Sequence, residues 1–307
     1  MRNHFVNDNM RNINYIENST IMANLLKAIS NFVDNPIINI VAHYSGSNRA
    51  NNMGEALETY VKDLFCGSQD LTNSKKDQLY SKNFSYLGNQ NNPPDIILKN
   101  SDAIEVKKLE GLRSAIALNS SYPKDKLHYN DSRITESCRN CESNKWDTKD
   151  IIYAIGIAPK SSKELKALWF IYGTCYAADR EIYQRVADKI SRGVNELPDV
   201  ELVETNELAK VKKVDPLGIT DLRVRGMWHI ENPIKVFSDS TNIDPNYKFT
   251  LNVIILEDKY LDFPEEDRRT LESLNEKGLN IMDIEIKNPN NPAKLLKAKY
   301  INYVKKI

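Results

Sequence analysis

The chain has 307 residues, 41% of them apolar, which is enough for one large core or two ordinary domains. Lys plus Arg and Asp plus Glu both number 42, so a protein that grips a polyanion by net charge alone is excluded. No apolar run is long enough to span a bilayer, and the Asn-rich first twenty residues, with Asp8 and Glu17, lack the apolar stretch of a secretory signal. Those features predict a cytoplasmic protein without membrane contact.

Residues 1–20 read as a polar N-terminal extension. A helix is expected after Asn18-Ser19-Thr20, with Ile21, Leu25, Leu26, Ile29 and Phe32 buried, ending near Asn35-Pro36. From Asn48 to Phe65 a second amphipathic helix buries Met53, Leu57, Tyr60, Val61, Leu64 and Phe65. A polar linker then covers Gly67 to Asp77, and Phe84 to Leu87 form a first strand before a turn over Asn89 to Pro94.

The next segment carries the chemistry. Two short apolar runs, Ile96 to Leu98 and Ala103 to Lys107, flank the polar Lys99-Asn100-Ser101-Asp102 and predict a β-hairpin. Alternation puts Glu105 and Lys107 on one face and Ile104 and Val106 on the other, while Asp95, opening the first strand, comes beside Glu105. Buried charge is costly unless it is paired or holds a metal. The residues therefore fit a divalent-metal site with an adjacent cation, or an exposed hairpin edge kept soluble by its charges.

Arg113 to Asp150 is polar, with basic and aromatic residues interleaved, and reads as long loops with brief elements. Ile151 to Ile157 and Leu168 to Gly173 are near-continuous apolar strands, expected to be covered on both faces. An amphipathic helix from Ala178 to Ser191 is closed by Gly193. Beyond Pro198 the pattern weakens: Leu222 to Ile230 alternates like a strand, Phe249 to Leu256 resembles another, and Lys294 to Val304 reads as a basic helix. Lys287 to Ile307 carries six lysines and no acid, whereas Glu257 to Asp267 is acid-rich. The order of elements predicts an α/β fold, a mixed central sheet flanked by helices, with residues 21–307 forming one elaborated domain. Its recognition loops would span about 113–150, and its C-terminal part about 200–307. Four cysteines are present, and Cys138-Arg139-Asn140-Cys141 has the spacing of a metal knuckle. Without a second close pair, a reduced, solvent-facing loop is expected rather than zinc.

Pro94-Asp95 followed by Glu105-Val106-Lys107 resembles the PD-(D/E)xK nuclease superfamily. Together with the Asn48 to Phe65 helix and Ala115 to Leu127, it resembles the type II restriction endonucleases of the NgoPII kind. The likeness runs from about Asn48 to Leu127 and less distinctly to Trp228. It implies Mg²⁺-dependent hydrolysis of double-stranded DNA by a homodimer at a short palindrome, with GGCC the expected target. Asp95 and Glu105 suit Mg²⁺, a hard ion that takes oxygen ligands, and the Val106 carbonyl would complete the protein's share. Lys107 would hold or deprotonate the attacking water, with burial and the two acids pulling its charge in opposite directions. Related nucleases place a helical glutamate near the metal, and either Glu55 or Glu58 can fill that place, with Glu58 favoured by its buried neighbours.

For DNA contacts the loop residues Asn119, Ser120, Ser121, Tyr122, Lys124 and Lys126 supply donors and acceptors close behind the catalytic strand. Arg133, Arg139, Arg223 and Arg225 have the chemistry to read guanine or to hold phosphates. Two other readings compete: the same fold acting on repair, branched or methylated DNA, and a non-catalytic DNA-binding protein.

Overall fold

A computed structural model describes residues 22–44, 52–89, 92–160, 162, 164–196, 201–203, 208–217, 219–241 and 246–305. The polar extension 1–20, Ile21 and residues 48–51 lie outside them. The strands are β1 (Phe84–Asn89), β2 (Asn92–Leu98), β3 (Ala103–Leu109), β4 (Ile116–Asn119), β5 (Lys126–His128), β6 (Thr148–Ile157) and β7 (Ala167–Tyr172). They continue with β8 (Glu201–Val203), β9 (Ala209–Lys212), β10 (Leu222–Val224), β11 (Trp228–Ile230), β12 (Phe249–Leu256), β13 (Leu279–Asn288) and β14 (Asn291–Lys305). The helices are α1 (Leu25–Asp34), α2 (Ile40–Tyr44), α3 (Met53–Cys66), α4 (Asn73–Asn83), α5 (Glu136–Arg139) and α6 (Gly173–Tyr176), then α7 (Arg180–Asn195), α8 (Pro233–Val236), α9 (Glu257–Leu261) and α10 (Glu265–Ser273).

The central sheet runs β1-β2-β3-β6-β7-β12-β14-β13, and β5 pairs with β6 off this path. β3 with β6 and β7 with β12 are parallel, and the other neighbours are antiparallel. Every residue of β7 is buried, as its unbroken apolar run requires. Its successive residues face opposite ways: Phe170 meets Phe65 of α3, while Trp169 stacks on Phe237 just after α8. Helices therefore cover both faces of a mixed sheet, as expected from the order of elements.

α1 begins later than the sequence suggests, because Asn24 is its cap and accepts from the Lys27 N–H. Its stripe of Leu25, Leu26, Ile29 and Phe32 is buried as predicted. Asn52 caps α3 by accepting from the N–H groups of Gly54 and Glu55. Part of the expected Gly67 to Asp77 linker is the first turn of α4. That helix is clamped by Asp63, which accepts from Tyr44 of α2, Ser68, and Lys76 and Tyr80 of α4.

Three further expectations are corrected. Gly193 lies inside α7 rather than closing it. Leu222 to Ile230 is two strands: β10 joins a small sheet with β9 and β8, and β11 pairs with β4. Lys294 to Val304 belongs to the long strand β14, not a helix. Its lysines, Leu and Ala are good helix formers, but pairing on both edges, with β12 and β13, overrides that local preference.

Candidate active site

The hairpin register sets the site. Ile96 lies opposite Ile104 and Ile97 opposite Ala103, so one further step places Asp95 across from Glu105. Strand β2 begins three residues before Asp95, at Asn92. Oδ2 of Asp95 accepts from the Val106 N–H at 2.6 Å, and Lys107 Nζ donates to Oε1 of Glu105 at 2.6 Å. Gly88 of β1 lets the neighbouring strand lie this close, since a Cβ there would sit 2.3 Å from the Pro94 carbonyl oxygen.

Electrostatics follow from crowding. Burial and then the Glu105 carboxylate push Asp95 up from 3.8 to about 7, against the opposing pull of Lys107 and the Val106 N–H. For Lys107, burial alone would lower the ammonium, but Glu105 and Asp95 outweigh it and the group is raised above 10.5. Its two acidic neighbours thus favour the charged form of Lys107.

Glu58 is also near, since its charge contributes to raising Asp95. Its Oε1, however, is held by Lys62 at 2.6 Å, one turn along α3. Glu55 is half-buried in the first turn of α3 and is not among the residues that line the cavity.

Asp95, Glu105 and Lys107 form one wall of a polar cavity of about 240 Å³. The other wall comes from the end of β4, the turn after it and the loop after β5: Asn119, Ser120, Ser121, Ser132 and Arg133. Arg133 Nη1 donates to Ser120 Oγ at 2.6 Å. Asn89, Asn92 and Ser132 also line the cavity and escaped the sequence reading, because their chain positions carry no motif.

The remaining expected DNA contacts divide. Lys124 is buried and ion-paired with buried Asp131, so it cannot reach DNA; a lysine in a polar loop looks exposed until its partner seven residues on is seen. Tyr122 stacks on Tyr183 with centroids 5.7 Å apart and meets Trp228 edge-on, so its ring is engaged in packing. Lys126 is partly exposed and pairs with Asp150 at 3.3 Å. Arg139 donates to the carbonyls of Tyr129 and Asp131, which makes it a loop brace. Arg223 and Arg225 are exposed, on and beside β10, and do not line the cavity.

Cys138 is not solvent-facing as expected but buried in the core, and burial pushes its thiol up to about 12. Cys141 donates to Ser85 Oγ at 3.7 Å.

The residues present fit a hard divalent ion. Two carboxylates face each other, the charge of one raises the pKa of the other, and Oε2 of Glu105 is buried without a hydrogen-bond partner. Among the described residues no group of three or more His, Cys, Asp or Glu is placed to hold a metal. A pair of carboxylates matches Mg²⁺, which keeps several waters and takes one or two protein carboxylates plus substrate phosphate.

A mixed sheet flanked by helices, with an acid–acid–lysine group on a hairpin beside a polar cleft, is the restriction-endonuclease-like fold. The model of the NgoPII restriction endonuclease family matches residues 23–287, and the chain belongs to that family. The type II restriction enzyme NgoPII of Neisseria gonorrhoeae is 47% identical to it over 280 residues, covering 91% of this chain and 99% of that relative. No solved structure matches the chain. Among the described residues no helix is long and apolar enough to cross a membrane.

Proposed function

We propose that this restriction endonuclease hydrolyses phosphodiester bonds of double-stranded DNA at a short palindromic site, with Mg²⁺ held by Asp95 and Glu105. The observation that carries the reading is the hairpin group itself: two facing carboxylates and a lysine in one cavity wall, with a hydrogen-bonding loop as the other wall. A bound divalent ion supplies Lewis acidity, a more acidic water and neutralisation of the charge that builds on the phosphate. Lys107, kept cationic by Glu105, donates to the attacking water or to a phosphate oxygen and stabilises the added negative charge. Val106 anchors Asp95 through its N–H, so the carboxylate keeps one orientation through the reaction. Ser120, Arg133 and Asn119 face the DNA across the cavity.

The family resemblance supports GGCC as the target and a homodimer as the reading unit, since a palindrome presents the same half-site to each of two symmetric protomers. Plasmid DNA incubated with the purified protein, with and without Mg²⁺, tests the proposal. Discrete fragments are expected only with metal, and none from Asp95→Ala. Sequencing the fragment ends reads out the target. Smeared products remove site specificity, and cutting by Asp95→Ala removes the site assignment.

A further inference from the structure

Two buried polar atoms beside the cleft have no hydrogen-bond partner among the described residues: Oε2 of Glu105 and Oγ of Ser121. Both residues line one narrow recess behind the main cavity, together with Pro93, Leu118 and Tyr153. Its volume of about 10 Å³ is close to the least that accommodates one water. A buried polar group left unpaired is destabilising, because it has given up its water without a replacement. One water donating to the carboxylate and accepting from the hydroxyl satisfies both groups together.

Backbone geometry aims Ser121 this way. Asn119 has φ +52°, and the Ser121 N–H donates to the Leu118 carbonyl at 3.1 Å, closing a tight turn. Ser120 projects from that turn into the open and accepts from Arg133. Ser121, next along, tucks its hydroxyl inward. The chain beyond is pinned: Tyr122 stacks on Tyr183, and the Lys124 backbone N–H donates to the Tyr153 hydroxyl at 2.6 Å.

We infer that Ser121 is a positioning residue for Glu105. Through one bound water its hydroxyl fixes Oε2 of the carboxylate whose Oε1 Lys107 already holds, presenting the acid to the divalent ion in a single orientation. A carboxylate oxygen has two lone-pair sites, so this water leaves room for a further ligand. The inference rests on the reading that Asp95 and Glu105 hold the ion. It takes Ser121 out of the expected set of DNA contacts and leaves Ser120 and Arg133 to face the nucleic acid.

The test separates metal affinity from DNA affinity. Mn²⁺ is titrated calorimetrically into DNA-free wild type, Ser121→Ala, Ser120→Ala and Asp95→Ala. Duplex binding is measured separately in EDTA by fluorescence anisotropy, with melting temperatures to confirm folding. Ser121→Ala is expected to bind Mn²⁺ about tenfold or more weakly, the usual consequence of losing a residue that orients a ligand, while its DNA affinity in EDTA stays within about twofold. Ser121→Gly, which deletes the same hydroxyl, should show the same loss, and Ser120→Ala the reverse pattern. Wild-type Mn²⁺ affinity in Ser121→Ala, or a loss of DNA affinity in its place, overturns the inference while Asp95-dependent binding stands. Mn²⁺ binding that survives Asp95→Ala removes the metal reading, and the role of Ser121 with it.

Discussion

Asp95 is held at an energetic cost that a single amide should relieve. Asp95→Asn keeps the size of the side chain and an oxygen for the Val106 N–H, but removes the charge that burial and Glu105 disfavour. Raising the carboxyl from 3.8 to about 7 is a roughly thousandfold change in proton affinity. At 1.36 kcal/mol per tenfold this corresponds to about 4 kcal/mol. Water in the open cavity screens part of it, so a gain of about 2–4 kcal/mol is expected for the variant at pH 8 without metal. The sign depends on pH. Below pH 4 both folded and unfolded wild type carry the proton, and the two proteins should be equally stable. Between pH 4 and 7 the folded wild type keeps a proton that the unfolded chain has shed, so its stability falls as pH rises, and above pH 7 the full penalty applies. Urea denaturation in EDTA from pH 4 to 8 measures this. Added Mg²⁺ should restore the wild type selectively, because it binds the ionised pair. A variant less stable than wild type at pH 8, or a difference that does not change with pH, refutes the account of the site's electrostatics.

Three further substitutions probe the same architecture. Lys107→Ala should lower the single-turnover cleavage rate about 10²- to 10³-fold, as expected for losing one donor to developing charge; unchanged cleavage would remove Lys107 from the chemistry. Lys124→Ala leaves Asp131 buried without its cation and should cost about 3–5 kcal/mol in urea denaturation; full stability with weakened DNA binding would return Lys124 to the interface. Gly88→Ala drives a methyl into the Pro94 carbonyl, 2.3 Å from the added carbon, and should slow cleavage by displacing Asp95. Wild-type turnover by that variant would show that β1 does not set the position of the acid.

The hairpin was readable because its information is local. Strand alternation and a polar turn place Glu105 beside Lys107 whatever else the chain does. The α3 stripe was readable for the same reason, with Leu57, Tyr60, Val61, Leu64 and Phe65 buried and Met53, in its first turn, partly so. What escaped depends on distant partners. β14 is a strand because β12 and β13 flank it, and no property of Lys294 to Lys299 announces that pairing. Lys124 and Cys138 sit in a segment of polar composition, yet Asp131 and the core bury them. Helical spacing puts Glu55 and Glu58 on one side of α3 and buried neighbours favour Glu58; α3 packs on β3, and the charge of Glu58 contributes to raising Asp95.

Strand β3 and the loop after β4 are coupled through one residue of β6. Tyr153 is the register partner of Glu105 on the parallel neighbour strand, so the two backbones stand one strand spacing apart, about 4.8 Å. The hydroxyl of the same tyrosine accepts from the Lys124 N–H and donates to the Lys124 carbonyl. Gly173 closes on that carbonyl and the next from the end of β7, where a Cβ would come within 2.4 Å of both oxygens. The loop after β4 is thus tied to β6 and β7, two of the most buried strands near the site. On the function proposed above, a loop fixed in this way would lose little entropy on meeting DNA, and its distance from the Asp95–Glu105 pair would be a property of the core.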